Sequence, residues 1–179
     1  MSVILAIDPG LSGAVCRLES GSIRVLRDFH ILPDIARAIQ DLSGGVTHAV
    51  IELVHAMPGQ GVCSMFSFGR AAGVADGALA LCFPGQVESV APQKWQNWFR
   101  LAYGIGKEQA FDSRALALKI LPGYEHLFQR KKDHNTADAC LIAVWKANQL
   151  SYLLECPGGW KGCASRSAIC RWRRSIAAS

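Results

Sequence analysis

Val3-Ile-Leu-Ala-Ile-Asp8-Pro-Gly-Leu-Ser-Gly13 is the stretch on which the fold turns. Its apolar, partly β-branched start reads as a buried strand ending at Asp8, and the Pro/Gly/Ser run that follows reads as a tight turn. Ala14–Glu19 and Ser22–His30 read as two further strands joined at Ser20-Gly21. Connections this short cannot carry a crossover, so these three strands form an antiparallel meander.

Pro33 and the apolar spacing Ile35, Ala36, Ile39, Leu42 then indicate a short helix ended by Gly44-Gly45. Thr47–Val54 has the near-continuous apolar character of a central strand covered on both faces, broken by His48 and Glu52. Residues 55–63 form a Pro/Gly loop, and Ser64 or Ser67 is expected to cap a Gly- and Ala-rich helix reaching about Phe83. Gln86–Ala91 supplies a fifth strand. A short helix follows Pro92, Gly104-Ile105-Gly106 breaks it, and two helices are expected at Lys107–Leu121 and from about Thr136 to Leu150. The result is an α/β domain over residues 1–150, with a mixed five-stranded sheet (three antiparallel strands, then parallel ones) flanked by helices. Residues 151–179 read as a basic tail, with Arg171-Trp-Arg-Arg174 near its end.

Half of the residues are apolar and 18% are charged, as in a folded domain rather than a disordered chain. No apolar run approaches the ~20 residues of a membrane helix. The first residues lack the basic flank of a signal peptide, and the seven cysteines have no disulfide-like spacing, so a reducing cytoplasm is the expected setting. The net charge of +5 is unevenly spread: Lys and Arg number 4 against 6 acidic residues in 1–53, but 8 against 3 in 94–132 and 5 against 1 in 151–179. A basic second half suits a polyanionic partner, although charge alone also fits an ordinary solvated surface.

Three carboxylates stand where a fold alone would not put them. Asp8 ends an apolar strand, Glu52 interrupts another, and Asp138 lies in Ala137-Asp-Ala-Cys-Leu-Ile-Ala-Val on the apolar start of a helix. Burying unpaired carboxylates is costly, and a divalent cation is one of the few partners that offsets several at once. Mg²⁺ prefers oxygen ligands and suits such a set. Two ions ~4 Å apart would activate water and hold the leaving oxygen of a phosphodiester. Taken singly, each residue has a plain reading: a turn former, a core ion pair, a helix-start carboxylate.

Four segments in order resemble RuvC-type Holliday junction resolvases. They are Ile4-Leu-Ala-Ile-Asp8-Pro-Gly10 with Ser12-Gly13; Val50-Ile-Glu52 with Ser67-Phe-Gly-Arg70-Ala-Ala-Gly73; Pro92-Gln-Lys94-Trp95 through Gly104-Ile-Gly106-Lys107; and Lys131-Lys-Asp133-His-Asn-Thr-Ala-Asp138-Ala139. Met57-Pro-Gly-Gln-Gly61 and Ser64-Met-Phe-Ser-Phe-Gly69 look most like the phage or prophage branch. The resemblance implies an RNase H-like fold, a homodimer, and a Mg²⁺-dependent endonuclease, with Mn²⁺ able to substitute. Two ions would serve each active site. Such an enzyme nicks four-way or other branched DNA symmetrically, leaving 5′-phosphates, in a bacterial cell. Asp8, Glu52 and Asp138 are then metal ligands. The family's fourth ligand stands three positions before the last Asp, where this chain has Asn135. Asp133 is expected to take that part if the helix begins after it, with His134 the alternative and Asn135 third.

Arg70, Lys94, Lys107, Lys131 and Lys132 are candidate phosphate contacts, and Phe66 and Phe68 are candidates for stacking on bases at the branch point. Both aromatics read equally well as a hydrophobic staple or a dimer core. Trp95 and Trp98, three residues apart, read as core or interface. The competing readings are another RNase H-fold nuclease acting on RNA–DNA hybrids or in the manner of a transposase, and a junction-binding protein with an impaired site.

Overall fold

The computed structural model describes residues 2–55, 59 and 61–155. The 57–61 loop motif, apart from Gly59 and Gly61, and nearly all of the 151–179 tail lie outside the described residues.

The meander forms as expected. Strand β1 (Val3–Asp8) pairs antiparallel with β2 (Ala14–Glu19), which pairs antiparallel with β3 (Ser22–Arg27). Strand β4 (His48–Glu52) lies parallel to β1, and β5 (Val87–Val90) lies parallel to β4, giving the order β3-β2-β1-β4-β5. Between the strands run α1 (Leu32–Leu42) and α2 (Val62–Cys82), and after them come α3 (Pro92–Tyr103), α4 (Ser113–Ile120) and α5 (His134–Glu155). This is the mixed five-stranded α/β architecture read from the sequence.

Alternation along the strands decides which residues meet which helices, because successive side chains point to opposite faces. Leu5 and Ile7 of β1, with Ala49 and Ile51 of β4, pack under α1 and α2 against Ile35, Ile39, Ala71, Ala75 and Leu79. Ile4 and Ala6 of β1, with Val50 of β4, pack on the other face with Trp95 and Phe99 of α3, Leu116 and Ile120 of α4, and Leu141 and Val144 of α5. Asp8 continues the Ile4–Ala6 series and Glu52 continues from Val50. The same period therefore carries both carboxylates to the α3/α4/α5 face.

Helix boundaries differ from the sequence expectation in three places. Helix α2 starts at Val62 with Gly61 as its cap, and neither Ser64 nor Ser67 serves. The expected helix at Lys107 begins only at Ser113, where the Asp112 carboxylate accepts from the Ala115 amide at 2.9 Å. Residues 107–112 are instead non-helical chain, held in part by Arg100, whose guanidinium donates to the Gly106 and Gln109 carbonyls. Helix α5 begins earlier, at His134, and runs to Glu155, past the boundary expected at residue 150.

Helix α2 is apolar nearly all round. Ala71, Ala75 and Leu79 form its buried stripe, while Val62, Phe66 and Leu81 stand in solvent. No helix among the described residues is long and apolar enough to cross a membrane.

Candidate active site

Asp8 and Glu52 end adjacent parallel strands. The register runs Ile4 to His48, Leu5 to Ala49, Ala6 to Val50 and Ile7 to Ile51, so the next step sets Asp8 beside Glu52. Neighbouring strands lie about 4.8 Å apart, and the carboxyl ends of parallel strands are where open α/β sheets place their sites. Helix α5 packs across β1 and β2 on this face, and its second turn brings Asp138 to the pair.

All three carboxyls hold their protons more tightly than an ordinary carboxylic acid. Burial pushes Asp8 well above the ordinary carboxylate range, and the charges of Glu52 and Asp138 push it further. Burial also raises Glu52 to about 7, opposed by a hydrogen bond from Trp95 and reinforced by Asp138. Asp138 rises to about 6 through burial, against a hydrogen bond from Ser113 and the nearby His134. Among the described residues no Lys or Arg makes an ion pair with any of the three. The arrangement is open: among the described residues, no three His, Cys, Asp or Glu side chains stand at metal-ligating spacing. The donor chemistry nevertheless fits a hard divalent cation, since oxygen ligands that repel one another gain most from a shared positive charge.

Asp133 does not join this cluster. Its side chain is 1% exposed, and it ion-pairs with Arg27 of β3 at 2.9 Å and with Arg130 at 2.8 Å. Its second oxygen accepts from the Arg130 backbone amide at 2.7 Å, closing a 3₁₀ turn over Lys131–Asp133. Burial favours the neutral acid, but these hydrogen bonds and the two guanidinium charges win and hold the carboxyl below its ordinary range. The expectation that Asp133 reaches the metal from outside the helix therefore meets a carboxylate already committed to two arginines. His134, the first residue of α5, lies one turn before Asp138 and acts electrostatically on it. Its Nδ1 is 3.4 Å from the Lys131 carbonyl; with the proton on Nδ1, Nε2 keeps its lone pair for a ligand. Asn135 donates to the Ser12 carbonyl at 2.9 Å and hydroxyl at 3.1 Å, tying α5 to the turn after Asp8.

That turn has no room for side chains. Gly13 donates its amide to the Gly10 carbonyl at 3.1 Å. A Cβ at Gly13 would overlap the Asp8 carbonyl oxygen and stand 3.0 Å from the Gly10 nitrogen. Gly13→Ala should therefore shift Asp8, lowering activity by about 10²-fold for a displacement near 1 Å and stability by roughly 1–3 kcal/mol. Gly44→Ala, with nothing near its Cβ, should leave activity unchanged. Parallel cleavage assays and thermal melts check the pair, and equal behaviour would contradict the steric account.

The candidate DNA contacts divide. Phe68 lies over the turn, its ring 3.4 Å from where a Gly10 Cβ would sit. Phe66 is 68% exposed, with the Arg70 guanidinium 5.9 Å from its ring centroid. Lys94 points to Glu88 at 3.5 Å and lies over the Trp145 ring. Lys132 pairs with Asp28 at 2.7 Å. Lys107 and Lys131 are exposed. Trp95 and Ser113, which touch Glu52 and Asp138, were invisible to sequence reasoning as site residues. Trp95 shows only as an apolar helix position, and Ser113 carries no pattern.

No family model and no curated protein matches the chain. Among solved structures it is similar to a Thermus thermophilus RuvC structure, at 16% identity over 81% of this chain and 93% of that one, with a TM-score of 0.50. A second similar structure is T. thermophilus RuvC in complex with Holliday junction substrate, at 17% identity, 82% and 93% coverage and a TM-score of 0.49. The chain thus has the RuvC-like, RNase H-like fold, and the likeness at this identity is one of fold.

Proposed function

We propose that this chain is a Mg²⁺-dependent endonuclease that nicks four-way or other branched DNA symmetrically and leaves 5′-phosphate ends. The observation that carries this reading is the grouping of Asp8, Glu52 and Asp138, one buried and two half-buried carboxylates with raised proton affinity and without a described Lys or Arg partner. Asp8, Glu52 and Asp138 would hold the ions, with Mn²⁺ able to substitute for Mg²⁺. His134 is the better fourth ligand, since Asp133 is held by Arg27 and Arg130. When bound, two such ions supply Lewis-acid activation of water and stabilisation of the leaving 3′-oxygen. The protein's own part is to fix the carboxylates on the sheet edge and α5, and to admit a phosphodiester beside them. Lys107, Lys131 and Arg70 are the phosphate contacts this reading favours, with Phe68 beside the turn and the exposed Phe66 to stack on unpaired bases.

Symmetric nicking needs two sites. The solvent-facing side of α2, with Val62 and Leu81 and the open Gly69, Gly73 and Gly77, supports a second copy packing there. The resemblance of the Ser64–Gly69 and Met57–Gly61 segments to phage or prophage resolvases is the support for a role in a bacterial cytoplasm.

A substrate panel tests the reading. With Mg²⁺, the full chain should cut a synthetic four-way junction at paired positions in opposing strands and leave linear duplex intact. Cleavage of an RNA–DNA hybrid with the junction untouched would transfer the chain to the hybrid ribonucleases of the same fold.

A further inference from the structure

Glu52 is held from behind by a neutral donor. Trp95 of α3 is fully buried and donates its indole Nε1–H to Glu52 Oε1 at 2.9 Å. Edge-on contacts with Phe99 and Phe111, at centroid distances of 6.3 Å and 5.4 Å, fix the plane of the ring. A buried indole N–H needs a partner, and here its partner is a residue of the acidic cluster.

We propose that Trp95 is a positioning residue for metal binding: its N–H pins one oxygen of Glu52 and leaves the other to be offered to a divalent cation. The choice of donor matters. A lysine or arginine in this place would draw the carboxylate into an ion pair and cancel the charge a cation needs, as Arg27 and Arg130 do to Asp133. An indole orients without neutralising. Partners of this kind behind a ligand typically tune metal affinity or activity by about 10–100-fold. This inference rests on the metal-site reading above.

Calorimetric titration of the metal-free, full-length chain with Mn²⁺ tests it. Three variants are compared with the wild type: Trp95→Phe, the chain carrying β-(3-benzothienyl)alanine at position 95, and Trp145→Phe. The benzothienyl side chain replaces N–H by sulfur and keeps the ring system, so it reports on the donor even where phenylalanine disturbs the core. Trp145 is equally buried in the same apolar cluster. Both changes at position 95 should weaken Mn²⁺ binding about 10-fold, and Trp145→Phe should change it less than about 2-fold. Wild-type affinity in the benzothienyl chain, or an equal loss in Trp145→Phe, would reduce Trp95 to a packing residue and overturn the inference. A wild-type chain that binds no Mn²⁺ would overturn the metal-site reading and this inference with it.

Discussion

Asp8→Asn should lower Mg²⁺-dependent junction cleavage by at least about 10³-fold, roughly 4 kcal/mol of lost transition-state stabilisation, while junction binding survives. It should also make the metal-free protein more stable at pH 8. The two effects share one cause. Asp8 is buried, and Glu52 and Asp138 press their charges on it. Asn keeps the shape and removes the charge, so the site loses an anionic ligand and the fold loses a repulsion. Relieving such a strained site commonly stabilises by about 0.5–2 kcal/mol. The sign with pH follows from linkage. All three carboxyls bind their protons more tightly folded than unfolded, so their contribution to metal-free stability is greatest in acid. It falls as pH rises from about 4, the unfolded value, through about 6 for Asp138 and about 7 for Glu52. The gain from Asp8→Asn should shrink below pH 5, and added Mg²⁺ should stabilise wild type more than the variant. Thermal melts at pH 5 and pH 8, with and without Mg²⁺, read all of this. An Asp8→Asn protein that is less stable at pH 8 in EDTA would mean that the carboxylate has a structural partner.

Asp133→Asn and His134→Ala should separate stability from catalysis. Asp133 joins the end of β3 to the entry of α5 through Arg27 and Arg130. Neutralising one side of a buried pair typically costs about 3–5 kcal/mol, and the partly exposed Arg130 places this case near the lower end. The folded fraction should still cut within about 3-fold of wild type. The carboxyl is held below its ordinary range, so its contribution is present above about pH 4 and disappears as pH falls through the folded value. The two proteins should therefore converge in strong acid. His134→Ala should do the reverse, leaving stability within about 0.5 kcal/mol as for an exposed site and lowering cleavage at least about 10-fold. Denaturant melts and single-turnover cleavage check both. Loss of cleavage in stable Asp133→Asn, with His134→Ala active, would return the fourth position to Asp133.

The mixed sheet and the placement of Asp8 and Glu52 were legible because Val3–Asp8 and His48–Glu52 are near-continuous apolar runs, the mark of central strands covered on both faces, and each ends in a carboxylate. Asp138 was legible as a charge on an apolar helix face. The fourth corner was not, because it depends on where α5 starts. That start is set by Asp133 folding back onto Arg130 and bonding to Arg27, more than 100 residues away in the chain. No local pattern encodes such a pairing. For the same reason Lys132 read as a phosphate contact although it meets Asp28, a non-glycine residue at φ +59°. Trp95 read as core or interface and is core; its bond to Glu52 joins α3 to the end of β4, a tertiary fact.

Mn²⁺ binding to the metal-free full chain, followed by electron paramagnetic resonance, tests the central claim without any assumption about the DNA substrate. Wild type is compared with the triple variant Asp8→Asn/Glu52→Gln/Asp138→Asn. Saturable loss of the free-ion signal in wild type and none in a folded triple variant is the expected result. Equal binding by the two proteins, or none by wild type, would contradict the account.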